Sequence, residues 1–483
     1  MAKKSKTSSD SKGSGVGRVF ILLIGIASFG ILAYLIVEVA YQFVVPPPAH
    51  RILFVQDIPL PSGFCATGPC TRNPVAGGVQ QDSGALAPGV QQDFDGFDFQ
   101  AYDPPTHKLF IAHTGPAPDL LVIAHPPFAP KFDPAVDLKF DGHIIVFDTQ
   151  QDRPIARINI PQVAGIVDAL DLRKVYAADA EESIVYSIDV NTLKATPIQL
   201  DDNESPDAMS YDPVDHRIFV SDPGAPVDDK VSLNPDKKNL NVTVIDALTD
   251  TVITKVNLGN LPLLPGENVR SAANAPKVPV EPGNIPKYGH DVGHNKYDAG
   301  LHRVFVTSTI LPNADDPNPL LLPPPGTGEL IAIDPVNATI VQRIVLPDTC
   351  SSPHGMDIDV DQQVAFIACT DFDSSRNLFQ NLLRVNLRTM TVIPTVPVSA
   401  ARLAGGPDIV LIDHSQHVLF VACKGGISVF DEKAGEFKKL GDYVLGKGTH
   451  TIAIDEQTQE IFLPQLSGGI PILRIGRYNP NGV

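Results

Sequence analysis

Two histidines and three aspartates stand at matching points of a pattern that recurs along this 483-residue chain. Ser352–Cys369 reads SPHGMDIDVDQQVAFIAC, a Pro-His-Gly followed by an alternating apolar run. Counting back five residues from the Asp that closes each such run gives Asp98, Asp207, His354, Asp408 and His450, with Ile166 and Gly293 in the two remaining copies. Imidazole nitrogens and carboxylate oxygens together suit a divalent first-row metal or a polar ligand. They equally suit a channel lined with water, and an Asp at a strand start also satisfies nearby backbone amides. A bound metal would activate water or polarise a carbonyl, with a neighbouring Asp as base. Around a ring only neighbours share one ion, so His354, Asp408 and His450 form the best metal set. His290 and His294 flank the fourth position but follow an insert and read as loop residues. His113 ends a strand and reads as a rim histidine.

The elements that carry these residues are strands. The pattern is an apolar alternating run, Asp, a polar turn, then a strand ending in small residues. It reads FDFQAYDPPTHKLFIAH from Phe97, AMSYDPVDHRIFVSD from Ala208 and GHNKYDAGLHRVFVTS from Gly293. It returns as GMDIDVDQQVAFIAC from Gly355, IVLIDHSQHVLFVAC from Ile409 and TIAIDEQTQEIFLPQ from Thr451, with a shorter VDALDLRKVYAAD from Val167. A second alternating pair follows most copies, as in VTVIDALTDTVITKVNL. Period-2 alternation between Asp, Asn, Gly and Pro turns means antiparallel strands. Four strands per unit at a minimum spacing of 41 residues fit a propeller blade. The last unit is split: IPILRIGRY lies near the C-terminus, and HRILFVQDIPL, His50–Leu60, matches its missing strand. The expected fold is all-β, a seven-bladed β-propeller closed by an N-terminal strand. A stacked solenoid would not need the split unit.

With strands named a to d from axis to rim, the a–b and c–d turns stay short. The extra length falls at 114–140, 222–240, 310–328 and 370–380, which are b–c loops, and at 259–289, a d–a connection. Both classes open on the end of the blade where strand a begins. Insertions on one face of a repeat array commonly form its binding face.

Residues 1–18 carry five basic groups against Asp10, and Val19–Val37 then runs 19 residues without a charge. That is long enough to cross a bilayer, with the positive flank on the cytoplasmic side. A cleaved signal peptide is the rival, but the run is long for one and no small-x-small site follows. The expected organisation is a basic tail at 1–18, a transmembrane signal anchor at 19–45, a Pro-rich spacer at 46–49 and the propeller at 50–483. The expected location is the inner membrane, single-pass, with the propeller on the periplasmic or extracellular side. The whole chain has 37 basic and 55 acidic residues, so the part beyond the tail stands at −22. Such a charge disfavours nucleic acid and anionic lipid as partners of the outer domain. Among the five cysteines, Cys65 and Cys70 lie close enough for a local disulfide, and Cys350 and Cys369 for a second, leaving Cys423 free and buried.

The strands VYAAD, IFVSD, VFVTS, AFIAC and LFVAC, with turns such as VIDALTDTVITKVNLG, resemble the YVTN-repeat, YncE-like β-propellers of bacteria. The resemblance spans roughly residues 50–475 and implies the fold, while roles in that family are diverse. Calcium-dependent lactonase propellers, a related architecture, use acidic and amide ligands around the axis. The axial set here has no Glu and no Asn, so that activity does not carry over residue by residue. P-loop, GxGxxG, GxSxG, HExxH, EF-hand and CxxCH motifs are absent. The function expected is a binding module for a ligand or protein on the long-loop face, with a divalent metal as the cofactor that the axial set would take. The alternative is a metal-dependent, lactonase-like hydrolase or lyase with its site in the central channel.

Overall fold

The computed structural model describes residues 51–60, 79–80, 96–114, 142–160, 162–180, 182–201, 204–223, 240–258, 261, 264, 290–310, 328–372, 378–395, 398–433, 437–446, 448–467 and 470–479. The tail, anchor and spacer at 1–49, Cys65 and Cys70, and most of each long insertion lie outside them. No helix among the described residues is long and apolar enough to cross a membrane.

Seven antiparallel sheets make seven blades. The first runs from Gly96 to Asn159, the second from Val163 to Gln199, the third from Met209 to Asn257 and the fourth from His290 to Val345. The fifth runs from Ser352 to Ile393 and the sixth from Pro407 to Val444. The seventh takes Ala453–Asp455, Glu460–Ser467 and Ile470–Asn479, and its outer strand is Arg51–Pro59 from the N-terminal side. This is the ring closure that the split repeat predicts, and it removes an open edge. The first blade departs from four strands: Val79–Gln80 adds a fifth beyond strand d, pairing with Ile158 and Arg157.

The repeated Asp is a turn residue. In the c–d turns Asp246 accepts the amides of Leu248 and Thr249, at 2.8 and 3.0 Å. In the a–b turns Asp212, Asp413 and Asp455 do the same work. A short acidic side chain that folds back on its own backbone fixes such turns. Each a–b turn then closes through one residue in the left-handed region: His107, Arg173, His216, His302, Gln363, His417 and Gln459, with φ from 52° to 62°.

Those same left-handed residues fasten the blades. Arg173 of the second blade holds Asp103 of the first at 2.7 and 3.1 Å. His302 meets Asp215 at 2.9 Å, Gln363 meets Asp298 at 3.2 Å, and Gln459 meets Ser415 at 2.8 Å. At the closing seam Tyr102 donates to Asp455 across 3.0 Å. Above these clasps, seven apolar clusters fill the seven seams. The closing one joins Ile58 and Leu60 to Phe97, Leu109 and Phe147 of the first blade and Phe462 and Leu473 of the last. Each fully buried large side chain of this kind contributes about 1.5–3 kcal/mol, so the ring is held by its seams.

Candidate functional site

Strand a does not enter the sheet as a plain ladder. In five blades its register slips near the start, across Phe97/Gln100, Val163/Ile166, Val292/Asn295, Pro353/Met356 and Pro407/Val410. Each slip leaves two residues outside the pairing, a bulge that re-aims side chains toward the axis. The pairs are Asp98-Phe99, Ala164-Gly165, Gly293-His294, His354-Gly355 and Asp408-Ile409. Asp103 and Ala169 hold equivalent places, opposite Lys108 and Lys174. The second-blade position is therefore Ala164, not Ile166. His294 is the second member of its bulge, a buried strand residue and not a loop residue. His113 is also buried, stacked on His143 at 4.7 Å.

Three imidazoles and two carboxylates meet around Asp408. Its Oδ1 lies 3.2 Å from His354 Nε2 and 3.5 Å from His294 Nε2. Its Oδ2 accepts a hydrogen bond from His450 Nδ1. The ligand atoms form two close triplets that share Asp408: His294–His354–Asp408 from the fourth to sixth blades, and Asp98–Asp408–His450 from the sixth, seventh and first. Asp207 holds the same place in the third blade. It belongs to neither triplet around Asp408 and reaches Asp98 through its charge. From the sequence His294 reads as a loop residue because an insert precedes it; the glycine before it, inside a strand pattern, is the one sign of a bulge.

The backbone around the cluster is tightly specified. Thr307 donates to the carbonyl of His354 at 2.8 Å and is 3.2 Å from that of His294. The fifth blade is entered through a disulfide between Cys350 and Cys369, with Cα atoms 4.9 Å apart, and Cys369 pairs with Pro353 beside His354. Closing a loop of this length, with a sequence separation of 19, restricts the unfolded chain by about 3 kcal/mol. A Cys350→Ser/Cys369→Ser variant is expected to lose about that much in urea denaturation; an unchanged midpoint would disprove it. Cys423 is free and buried, and burial pushes its thiol up to about 11.

The electrostatics divide the cluster. Burial works to raise the pKa of Asp408, but hydrogen bonds from His354 and His450 hold it well below the usual carboxylate range. Burial, then the negative charges of Asp207 and Asp408, push Asp98 well above that range. Burial opposes a charge on His450, yet Asp408 and Asp98 raise its pKa. Burial and the neighbouring His354 push His294 down to about 3, so it stays neutral. The shifts oppose one another within a single channel end: the charged form is favoured for Asp408 and His450 and disfavoured for Asp98 and His294.

Below the cluster the channel opens into a cavity of about 650 Å³, with Phe99 and His294 among its lining. These two rings, from the first and fourth blades, lie 5.0 Å apart across the axis. Ile166, Met209, Met356 and Leu411 give the cavity apolar walls.

No family model matches the chain, and no curated protein is significantly similar to it. Among solved structures, a chain of Kuenenia stuttgartiensis hydrazine synthase is similar over 81% of this chain and 99% of its own, with a TM-score of 0.53 and 10% identity. A chain from a mitotic checkpoint complex structure is similar over 88% of this chain and 98% of its own, at a TM-score of 0.49 and 9% identity. Identity this low shows a shared fold alone for the first, and the second carries no argument.

Proposed function

We propose that the protein is a binding module that takes a ligand at the loop-bearing end of its channel. One observation carries this. Side chains from four other blades converge on Asp408 there, while His354 keeps 48% of its side chain exposed. A polar cluster held by neighbouring strands yet open to solvent is a preformed site. The reading extends to an uncleaved anchor at 19–45 with the propeller outside the inner membrane. The charge-free run after a basic tail supports that placement, as does the Cys350–Cys369 disulfide, which suits an oxidising compartment. Kinship with YVTN-repeat propellers rests on the strand motifs.

A second reading, a hydrolase or lyase, is favoured by one feature. Asp98 and Asp408 carry opposite pKa shifts, which is how an acid and a base are kept side by side.

The binding reading is tested by thermal melting against a panel of organic acids, sugars, peptides and divalent ions. At least one class should raise the Tm of the wild type by several degrees at saturating concentration. The same class should leave His354→Ala unmoved, a change at a half-exposed residue that spares the fold. A panel that moves neither chain overturns the reading. Turnover of a lactone or ester that vanishes in His354→Ala would favour the enzyme.

A further inference from the structure

We infer that the ligand of this channel end is a single first-row divalent transition-metal ion, held by His294 Nε2, His354 Nε2 and Asp408 Oδ1, with His450 as a positioning residue. The inference rests on the binding reading above and names its ligand.

The distances distinguish the two sides of Asp408. Metal bonds of about 2.0–2.2 Å to nitrogen and oxygen set neighbouring donors about 3.0–3.6 Å apart, for bond angles between octahedral and tetrahedral. The two Nε2 atoms lie 3.2 and 3.5 Å from Oδ1. Those are edges of a coordination polyhedron. They are long for charge-assisted hydrogen bonds, which fall at about 2.7–2.9 Å. Two imidazoles facing one carboxylate oxygen at such lengths leave the space that a shared ion needs. The rings converge as this requires, with centroids 4.5 Å apart and planes at 48°. On the other side His450 Nδ1 makes a direct hydrogen bond to Oδ2, which leaves no room for an ion between those two atoms. A carboxylate ligand whose second oxygen is held by a hydrogen-bond donor is the usual outer support of a metal site. This moves the ion away from the set His354, Asp408 and His450 and brings in His294.

The donor set also selects the ion. Two nitrogens and one oxygen suit zinc, iron, cobalt, nickel or copper and disfavour calcium and magnesium, which take oxygen cages. Three protein donors leave coordination positions open. His294 is shut away and His354 is half exposed, at 4% and 48% of the side chain, so the open positions face the solvent that His354 meets.

The test uses the full-length chain, stripped of metal with a chelator, in detergent solution. Cobalt(II) is titrated in and followed by visible absorption, with zinc as competitor and calcium and magnesium as controls. The expected result is one equivalent of cobalt, displaced by zinc and untouched by the other two. His354→Ala should lose it, and so should His294→Gln, which fills the same space. His450→Ala should keep the stoichiometry and weaken binding roughly 10–100-fold, and His450→Gln, which restores an N–H donor, should recover part of that. Thermal melts confirm that each variant is folded. Cobalt bound equally by wild type and His294→Gln, but lost in His450→Ala, would place the ion on the Asp98 side and overturn the assignment. A chain that takes no cobalt yet is stabilised by an organic ligand through His354 would overturn the ion and leave the binding reading standing. A chain stabilised by neither would remove both.

Discussion

Gly355→Ala is expected to cost roughly 3–5 kcal/mol, near the upper end for a single substitution. A Cβ at this position would stand 1.5 Å from the carbonyl oxygen of Asp408 and 2.7 Å from its carbon. Both are backbone atoms of the next blade, so no side chain can swing aside. The fifth and sixth blades would have to part along a seam filled by Phe366, Leu382, Leu403, Val410 and Leu419. Gly441→Ala is the control. There the nearest atom is a ring carbon of Tyr443 at 3.8 Å, an ordinary contact, and the expected cost is within about 1 kcal/mol. The measurement is the urea midpoint of each variant. Equal midpoints would mean that the two blades do not approach so closely. The expected loss is also functional, because the carbonyl that must move belongs to Asp408, the residue around which the cluster gathers.

The same close contact explains the Pro-His-Gly. Gly165 sits in the corresponding bulge of the second blade, where a Cβ would lie 1.9 Å from the carbonyl oxygen of Asp207. In both seams glycine is required by the neighbouring backbone, and the residue before it is free to vary. It is Ala at 164 and His at 354. The backbone contact is answered by the glycine, so it does not itself dictate the imidazole at 354 that faces Asp408.

The blades were legible because their signals are local. Alternating apolar residues, an Asp at each turn and small residues at the end of strand b repeat within short windows, and closure followed from one unmatched strand at His50–Leu60. The cluster was half legible. Asp98, Asp207, His354, Asp408 and His450 could be aligned by counting from a turn Asp, since those blades share one strand length. Counting failed in the second blade, where Ala169 stands in the place of the turn Asp and Asp171 lies two residues further on. It failed again at His294, because a bulge adds a residue that alternation cannot register. Gly293-His294 and His354-Gly355 are the same bulge with its two residues exchanged, and both present an imidazole to Asp408. Which nitrogen faces which oxygen depends on three-dimensional approach across blades, and no spacing rule contains it.

Stability should fall steeply between about pH 4.5 and pH 8 because of one carboxyl far from this cluster. Glu432 follows strand c of the sixth blade, fully buried at the seam with the fifth. Burial, and then Asp359 beside it, push its pKa up to about 8. Gln362 bridges the two carboxyl groups, and His417 Nδ1 faces Glu432 Oε1 at 3.3 Å. The folded chain keeps the proton on Glu432 through neutral pH, whereas the unfolded chain releases it near the ordinary glutamate value. Unfolding then sheds a proton, and each pH unit inside that window weakens the fold by up to about 1.4 kcal/mol, a loss of about 4 kcal/mol by pH 8. The stabilisation is complete below the unfolded pKa and lost as pH rises through the folded one. Asp359 does not offset this. Against the burial that would raise it, hydrogen bonds from Gln362 and Glu432 depress its pKa, so its own contribution is lost only in acid. Glu432→Gln keeps an N–H donor for Asp359 and an oxygen for Gln362 but cannot ionise. Its stability should match the wild type within about 1 kcal/mol at pH 5 and exceed it by about 4 kcal/mol at pH 8. Denaturation curves at the two pH values decide it. Wild type and variant that lose stability in parallel would show that the proton on Glu432 is not held by the fold.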